Sequence, residues 1–179
     1  MQIAGDQQLR LRPYAADDVA TIARLAGDRA VADAMMTIPH PFPADQVRRY
    51  LESAAQEERA GTARYFAIES ARQLIGGLAI HGIESEHQMA ELSFWVGRPF
   101  WNLGQATSAA KAALPIAFND LELNRLQAFH MLRNEASGRV LEKIGFSREG
   151  VLRQRVHKWG QWEDVAICSM LAETYRCSV

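Results

Sequence analysis

A glycine among small residues marks the first stretch of this chain where chemistry could be done: Trp101-Asn-Leu-Gly-Gln-Ala-Thr-Ser-Ala-Ala110. It stands where a loop turns into a helix. Beyond it Ala106, Ala109, Ala110, Ala113, Leu114, Ala117 and Phe118 recur at i, i+3, i+4, i+7 spacing. The first amides of a helix have no partner within it, and they sit at the positive end of its dipole. A phosphate or pyrophosphate satisfies both conditions. Gly104 and Ala106 let an anion approach the backbone, because neither carries a large side chain. The same pattern also serves an ordinary helix start, so a second motif has to decide.

The other reactive side chains are scattered. His40, His81, His87, His130 and His157 show no ligand spacing, so no metal is expected. Cys168 alternates with Ala166 and Met170 in a strand-like run, and Cys177 lies in the tail. No disulfide is expected, and a cytoplasmic location is the default. No covalent cysteine intermediate is expected either, because spacing supplies no histidine partner.

These residues need elements to position them. Residues 8–12 read as a strand with Leu9 and Leu11 on one face. Asp17 or Asp18 can cap a helix carrying Val19, Ile22, Ala23 and Leu25. A short helical piece is expected over 31–36, then a stiff break at Ile38-Pro-His-Pro-Phe-Pro43. Residues 44–60 read as helix, and 63–68, 73–83 and 89–96 as a meander of strands. Gly76-Gly77 suggests a bulge or close packing in the second of these. The helix after Gly104 runs to about 120, with a kink expected at Pro115. A strand over 125–131 follows, then a helix over 134–144. Lys143, Gly145 and Phe146 sign its end. Residues 149–157 and 163–171 form a closing hairpin around Trp159-Gly-Gln-Trp162. This mixed order implies an α+β fold, a mostly antiparallel sheet with helices packed on it.

Bulk numbers set the bounds. The 179 residues suit one domain spanning 1–179, at an ordinary 48% hydrophobic and 23% charged. A net charge of −1 argues against a nucleic-acid footprint, which needs clustered Lys and Arg. No signal peptide is expected at the start, and the apolar run from Leu74 to Ile83 is far too short to cross a membrane.

Two motifs in register carry a family resemblance. Phe100 to Ala109 is similar to aromatic-Trp-x-x-Gly-x-Ala-Thr-Glu-Ala, and Asn134-Glu-Ala-Ser-Gly-Arg-Val-Leu-Glu-Lys-Ile-Gly-Phe146 to Asn-x-x-Ser-x-x-Val-x-x-Lys-x-Gly-Phe. Both belong to the GNAT acetyltransferase superfamily, and specifically its RimJ/RimL-like branch. Leu9-Arg-Leu-Arg-Pro13, Glu149-Gly-Val-Leu-Arg153 and Trp162-Glu-Asp164 extend the resemblance over nearly the whole chain. It implies a GNAT fold, with about seven strands splayed between the fourth and fifth and about four helices. It also implies acetyl-CoA as cofactor, with the thioester in the cleft. By the same resemblance, backbone amides over Asn102, Leu103, Gly104, Gln105, Ala106 and Thr107 cradle the pyrophosphate. The edge formed by Phe94, Trp95 and Val96 pairs with the pantetheine arm, Asn134 bonds that arm, and Ser137 lies near the sulfur. Three positions depart from the pattern: Ser108 replaces a glutamate, Ser93-Phe94 replaces Gly-Tyr, and Leu103 is bulky for a phosphate loop.

Direct acetyl transfer needs a neutral amine, a donor for the developing oxyanion and a proton for the leaving thiolate. A peptide α-amine with a pKa of ~8 is roughly one-tenth neutral at pH 7, whereas a lysine amine near ~10.4 is far less available. Glu91, on the strand expected to border the cleft, is the candidate base, direct or through water; otherwise it is a solvated or ion-paired strand glutamate. The Val96 amide is a candidate oxyanion donor or an ordinary ladder group. Ser137 is the candidate proton donor to sulfur or a backbone-satisfied helix serine, and Asn134 can also cap that helix. Trp159, Trp162 and Asp164 are candidate acceptor-site residues; packing for the tryptophans and a turn for the aspartate are the plainer readings. Arg153, Arg155 and His157 read as a solvated strand edge.

The expected function is acetyl-CoA-dependent transfer to a primary amine, either a peptide N-terminus or a small-molecule amine. The competing class is an inactive acetyl-CoA-binding sensor or interaction module, and a different acyl donor is a third reading. Exposed strands near the C-terminus make a homodimer conceivable.

Overall fold

Strand alternation decides which helices pack on which side of the sheet. The computed structural model describes residues 9–178. Its strands are β1 (Arg10–Arg12), β2 (Ala63–Ser70), β3 (Gln73–Glu84), β4 (Met89–Val96), β5 (Arg125–Met131), β6 (Ser147–Lys158) and β7 (Gln161–Leu171). They form one sheet in the order β1-β2-β3-β4-β5-β7-β6, antiparallel everywhere except between β4 and β5. The helices are α1 (Asp18–Ala26), α2 (Arg29–Ala34), α3 (Ala44–Ala60), α4 (Gln105–Pro115), α5 (Glu135–Lys143) and α6 (Ala172–Ser178).

On β4, Leu92 and Val96 project to one face and Trp95 to the other, as a period of two requires. The first face buries Ala109 and Ala113 of α4 and Leu141 of α5 against Ile80, Leu92 and Leu126. The second buries Ile22, Val31 and Val47, from α1, α2 and α3, against Ala67, Leu74 and Trp95. The sheet is thus a central layer between two apolar cores. Each half also has a polar tie. At the β1 end, Glu69 accepts from Arg10 Nε (2.6 Å) and Arg12 Nε (2.7 Å), and Arg12 reaches on to Asp18 of α1 (2.8 Å). At the β6 end, Glu149 sits in a register break and accepts from Arg125 Nη2 (2.6 Å) and Ser169 Oγ (2.5 Å). That carboxylate ties β5, β6 and β7 together.

Most elements fall where the sequence pattern places them. α3, β4 and β5 match the expected limits, and Gly145 (φ 96°) caps α5 with Phe146 folded beneath it. The first strand covers Arg10–Arg12; Gln8 lies outside the described residues. Neither Asp17 nor Asp18 caps α1 in the usual way. Asp17 makes no side-chain cap bond, and Asp18 turns back to Ala15 N (2.7 Å) and Arg12. α2 begins two residues earlier than expected because Asp28 accepts from Ala30 N (2.8 Å) and caps it there. At Pro115 the helix does not simply kink; it widens into a π-turn over Ile116–Asp120, closed by Leu121 N donating to Ile116 O (2.9 Å). α6 was not expected; it follows β7 and buries Ala172 and Tyr175. Gly77 is a close-packing site, since a Cβ there would collide with the Tyr14 hydroxyl and the Trp95 indole.

Arg125, then Ser169, hold the Glu149 carboxyl down from the ordinary 4.5 to about 2. A carboxyl depressed on folding stabilises the fold above its unfolded value and loses that contribution as pH falls through the folded one. Glu149→Gln is therefore expected to lower the melting temperature at pH 7. The gap to the wild-type protein should close between pH 4.5 and about 2. A gap independent of pH would contradict this role.

Candidate active site

β4 and β5 are paired only at Met89–Arg125, Ala90–Leu126 and Glu91–Gln127. β4 continues to Val96 and β5 to Met131, so the two strands part beyond Glu91 and Gln127. β4 follows β3: Gly97 N donates to Ile75 O (2.8 Å), one residue past the Val96–Gly76 pair. In an antiparallel ladder bonding residues alternate, so Trp95 and Ser93 face β3 while Phe94 and Val96 present their backbone groups to the opening. Trp101 Nε1 donates to Val96 O there (2.7 Å).

Directly beyond β4 the chain turns into α4. Asn102 (φ 61°) and Gly104 (φ 75°) are both left-handed, a region open to asparagine and glycine at low cost. The first helical bond is Ser108 N to Gly104 O (3.0 Å). The amides of Gln105, Ala106 and Thr107 come before it and have no carbonyl within the helix to bond. A Cβ at Gly104 would meet nothing within 4 Å, so the glycine is required by backbone conformation and not by packing.

Across the opening, Asn134 caps α5. Its Oδ1 accepts from Ser137 N (3.2 Å), and its Nδ2 donates to Ser137 Oγ (2.9 Å) and to Ala34 O at the end of α2 (3.0 Å). The bond from Asn134 occupies a lone pair of the Ser137 oxygen and leaves its proton for donation. α2 is held over the mouth in other ways too. Arg133 makes paired bonds to Asp33 (2.8 and 3.0 Å) and one to Glu163 (2.8 Å). Lys158 Nζ donates to Ile38 O (2.8 Å), and Arg29 stacks 3.9 Å above the Trp159 ring.

Together these elements enclose a cleft of about 580 Å³, within the usual range for small-molecule sites. Phe94, Trp95 and Val96 line it, as do Asn102, Gly104, Gln105, Ala106 and Thr107 of the loop, and Asn134 and Ser137 of α5. Leu103 does not; its side chain points to solvent, 65% exposed. Trp159 borders a separate notch with Asp28, Arg29, Asp33 and Arg98, and Asp33 also lines the cleft. Trp162 is exposed beside His157, their rings 4.7 Å apart. Asp164 Oδ1 accepts from Gln154 N (2.7 Å) and fixes the irregular middle of β6. None of Trp159, Trp162 and Asp164 lines the cleft.

Glu91 lies at the point where the strands part, half-buried, with His81 Nε2 3.7 Å from its Oε1. Burial pushes its carboxyl up from the ordinary 4.5, while His81 and Arg155 pull it back down. Arg155, expected on a solvated edge, acts on Glu91 from the stretch where β6 loses register with β7. Burial also pushes the Cys168 thiol up. Sequence reasoning missed Arg139 and Lys143, which line the cleft from α5 and bring positive charge to it. Their i, i+4 spacing was the available signal. It also missed Arg133 and Asp33, whose pairing joins segments far apart in the chain.

The acetyltransferase (GNAT) domain family matches residues 8–147. YoaA, an uncharacterized N-acetyltransferase of Bacillus subtilis, is 30% identical over 119 residues, 66% of this chain and 67% of that protein. Two solved structures share the fold. Spermidine N-acetyltransferase from Vibrio cholerae, in complex with CoA and spermine, superposes with a TM-score of 0.84 at 24% identity, over 96% of this chain and 99% of the other. The ribosomal L7/L12 alpha-N-protein acetyltransferase RimL, in complex with coenzyme A, gives 0.84 at 17% identity, over 91% and 93%. An open β4 edge, a ring of free helix amides and a family match over most of the length agree with one another: the chain belongs to the GNAT acetyltransferase family, whose reaction moves an acetyl group from acetyl-CoA to an amine.

Proposed function

We propose that the acceptor is a primary amine presented end-on, either a small-molecule amine or the terminal amine of a peptide. The observation that carries this reading is the latch of α2 across the cleft mouth, through Arg133–Asp33, Asn134–Ala34 and Lys158–Ile38. A latched mouth admits a narrow group more readily than the side of a folded chain, and this favours the small amine. The solved relatives named for spermidine and for a ribosomal-protein N-terminus bracket the two classes.

The donor's diphosphate suits the amides of Gln105, Ala106 and Thr107, with Arg139 and Lys143 adding charge across the cleft. Its amide-bearing arm suits the free edge at Phe94 and Val96. Val96 N–H is placed to donate to the oxygen that gains charge as the amine attacks. Ser137, its oxygen already accepting from Asn134, donates its proton toward sulfur. Glu91 lies five residues before Val96, about 17 Å along an extended strand. Glu91 is not among the residues that line the cleft, and that span exceeds the reach of one carboxylate, so Glu91 takes the amine's proton through a chain of waters. Transfer is direct, with no acyl-enzyme. A cytoplasmic setting fits the free Cys168 and Cys177. No nucleic-acid partner is proposed, and among the described residues no helix is long and apolar enough to cross a membrane. The exposed edge strand β6, with Val151 and Leu152 on its surface, supports self-association into a homodimer.

Labelled acetyl-CoA incubated with a cell extract and read by mass spectrometry should label a low-molecular-weight amine. Labelling confined to protein N-termini would reverse the preference, and no label in either class would reject the proposal. Ser137→Ala should lower kcat by about 10-fold and leave KM for acetyl-CoA within about twofold. Arg139→Ala combined with Lys143→Ala should weaken coenzyme A binding. Each charge removed is worth about 0.5–1 kcal/mol at low salt, or roughly two- to fivefold. Calorimetry at two ionic strengths would also show a smaller salt dependence.

A further inference from the structure

We infer that His81 and Glu91 work as one proton-accepting unit, with His81 the positioning residue that receives the proton Glu91 collects. This rests on the reading of Glu91 as the base. The two residues are directly opposed on β3 and β4, so their side chains share one face of the sheet. His81 Nε2 stands 3.7 Å from Glu91 Oε1, a gap that one small ring rotation closes. Glu91 is the last β4 residue paired with β5, at the root of the opening. The register between β3 and β4 breaks immediately after His81, where Gly82 is left-handed (φ 59°). A bulge at such a place re-aims the side chain beside it.

The residues directly opposite the pair on the flanking strands carry no proton-transferring group, and the titratable side chain of Tyr65, diagonal to His81, is bonded to Glu57. On β2, Ala63 lies opposite His81, and on β5 Gln127 lies opposite Glu91; neither titrates. Arg155 of β6 is the remaining charge that acts on Glu91, and it favours the ionised carboxylate. Both side chains keep part of their surface in water, 30% for His81 and 27% for Glu91. An imidazole can accept at one nitrogen and release from the other, so a proton has a way out to solvent.

The step balances. An N–H bond of the substrate ammonium breaks, and its proton passes by water to Glu91 and on to His81 Nε2. The electron pair left on nitrogen forms the N–C bond to the acetyl carbon. The C–S bond breaks with its pair to sulfur, which takes the Ser137 proton, and the second proton of the acylated nitrogen passes by water to the Ser137 oxygen, so amide, thiol and serine all end neutral. The His81 ring then returns its proton to bulk solvent.

The test compares wild type, His81→Gln, Glu91→Gln and the double variant in the full chain. Spermidine and a serine-ended octapeptide serve as acceptors over a range of pH. His81→Gln should lower kcat by about 10-fold, leave KM for acetyl-CoA within about twofold, and move the acidic limb of the rate profile. The double variant should be no slower than Glu91→Gln, because residues acting as a unit are not additive. Independently of any acceptor, the His81 ring signals in NMR at one fixed pH should move in Glu91→Gln relative to wild type, because the ring loses the carboxylate 3.7 Å from its Nε2. An unchanged profile, multiplying effects, or ring signals indifferent to Glu91 would overturn the inference. So would a fall in melting temperature with the profile intact, which marks a structural histidine. If neither acceptor turns over in wild type, the proposed acceptor classes fail, and the ring signals still decide whether the two side chains are in contact.

Discussion

Everything in this molecule turns on the hydrogen bonds that β4 and β5 do not make. Backbone N–H and C=O groups are obligatory bonding groups, and an unpaired strand edge seeks a partner. Each strand is committed elsewhere. β4 follows β3 as far as Gly76, and β5 follows β7 along its whole length, from Arg125–Leu171 to Met131–Val165. Three residue pairs join the two halves before they separate. The Glu69 cluster braces the first half and the Glu149 cluster the second, so the gap can persist without either half fraying. An edge held open in this way offers unpaired backbone groups to a ligand that carries amides, and α4 sets a second row of donors at its end.

The opening is re-bridged at its mouth. α2 belongs by sequence to the first half, yet its polar contacts reach the second. Asp33 meets Arg133, Ala34 O meets Asn134, and Ile38 O beyond the helix meets Lys158. Charge-assisted bonds are the stronger members of their class, but the Arg133–Asp33 pair lies at a wetted surface where screening weakens it. Burial lowers the Lys158 ammonium while Asp33 supports it, which suits a contact that holds without locking. The strap narrows the approach to the cleft, and the groups that secure it stand beside others that line it. Asn134 does both, capping α5 and ordering Ser137 while it ties down Ala34.

Local signals made much of this legible. α3 starts just after Pro43 and stops at the left-handed Gly61, and both residues mark those limits in the sequence. The amphipathic run after Gly104 fixes α4, and the turn into that helix reads directly from the left-handed glycine and the small residues around it. What escaped is non-local. Asp33 and Arg133 are 100 positions apart, and Ile38 and Lys158 are 120, so no window of sequence contains both partners. Arg155 looked like one of several surface cations, because nothing in its neighbours says that the register breaks there. Pro115 signalled a disturbance but not its form; widening into a π-turn keeps the backbone bonded without the missing amide.

Amide hydrogen exchange, measured residue by residue with and without coenzyme A, tests the open-edge account most directly. Phe94, Val96, Gln105, Ala106 and Thr107 should become protected when coenzyme A is added, while Ser93 and Trp95, already bonded to β3, should not change. Saturating binding that leaves those five amides exchanging as before, or that protects a different surface, would contradict it.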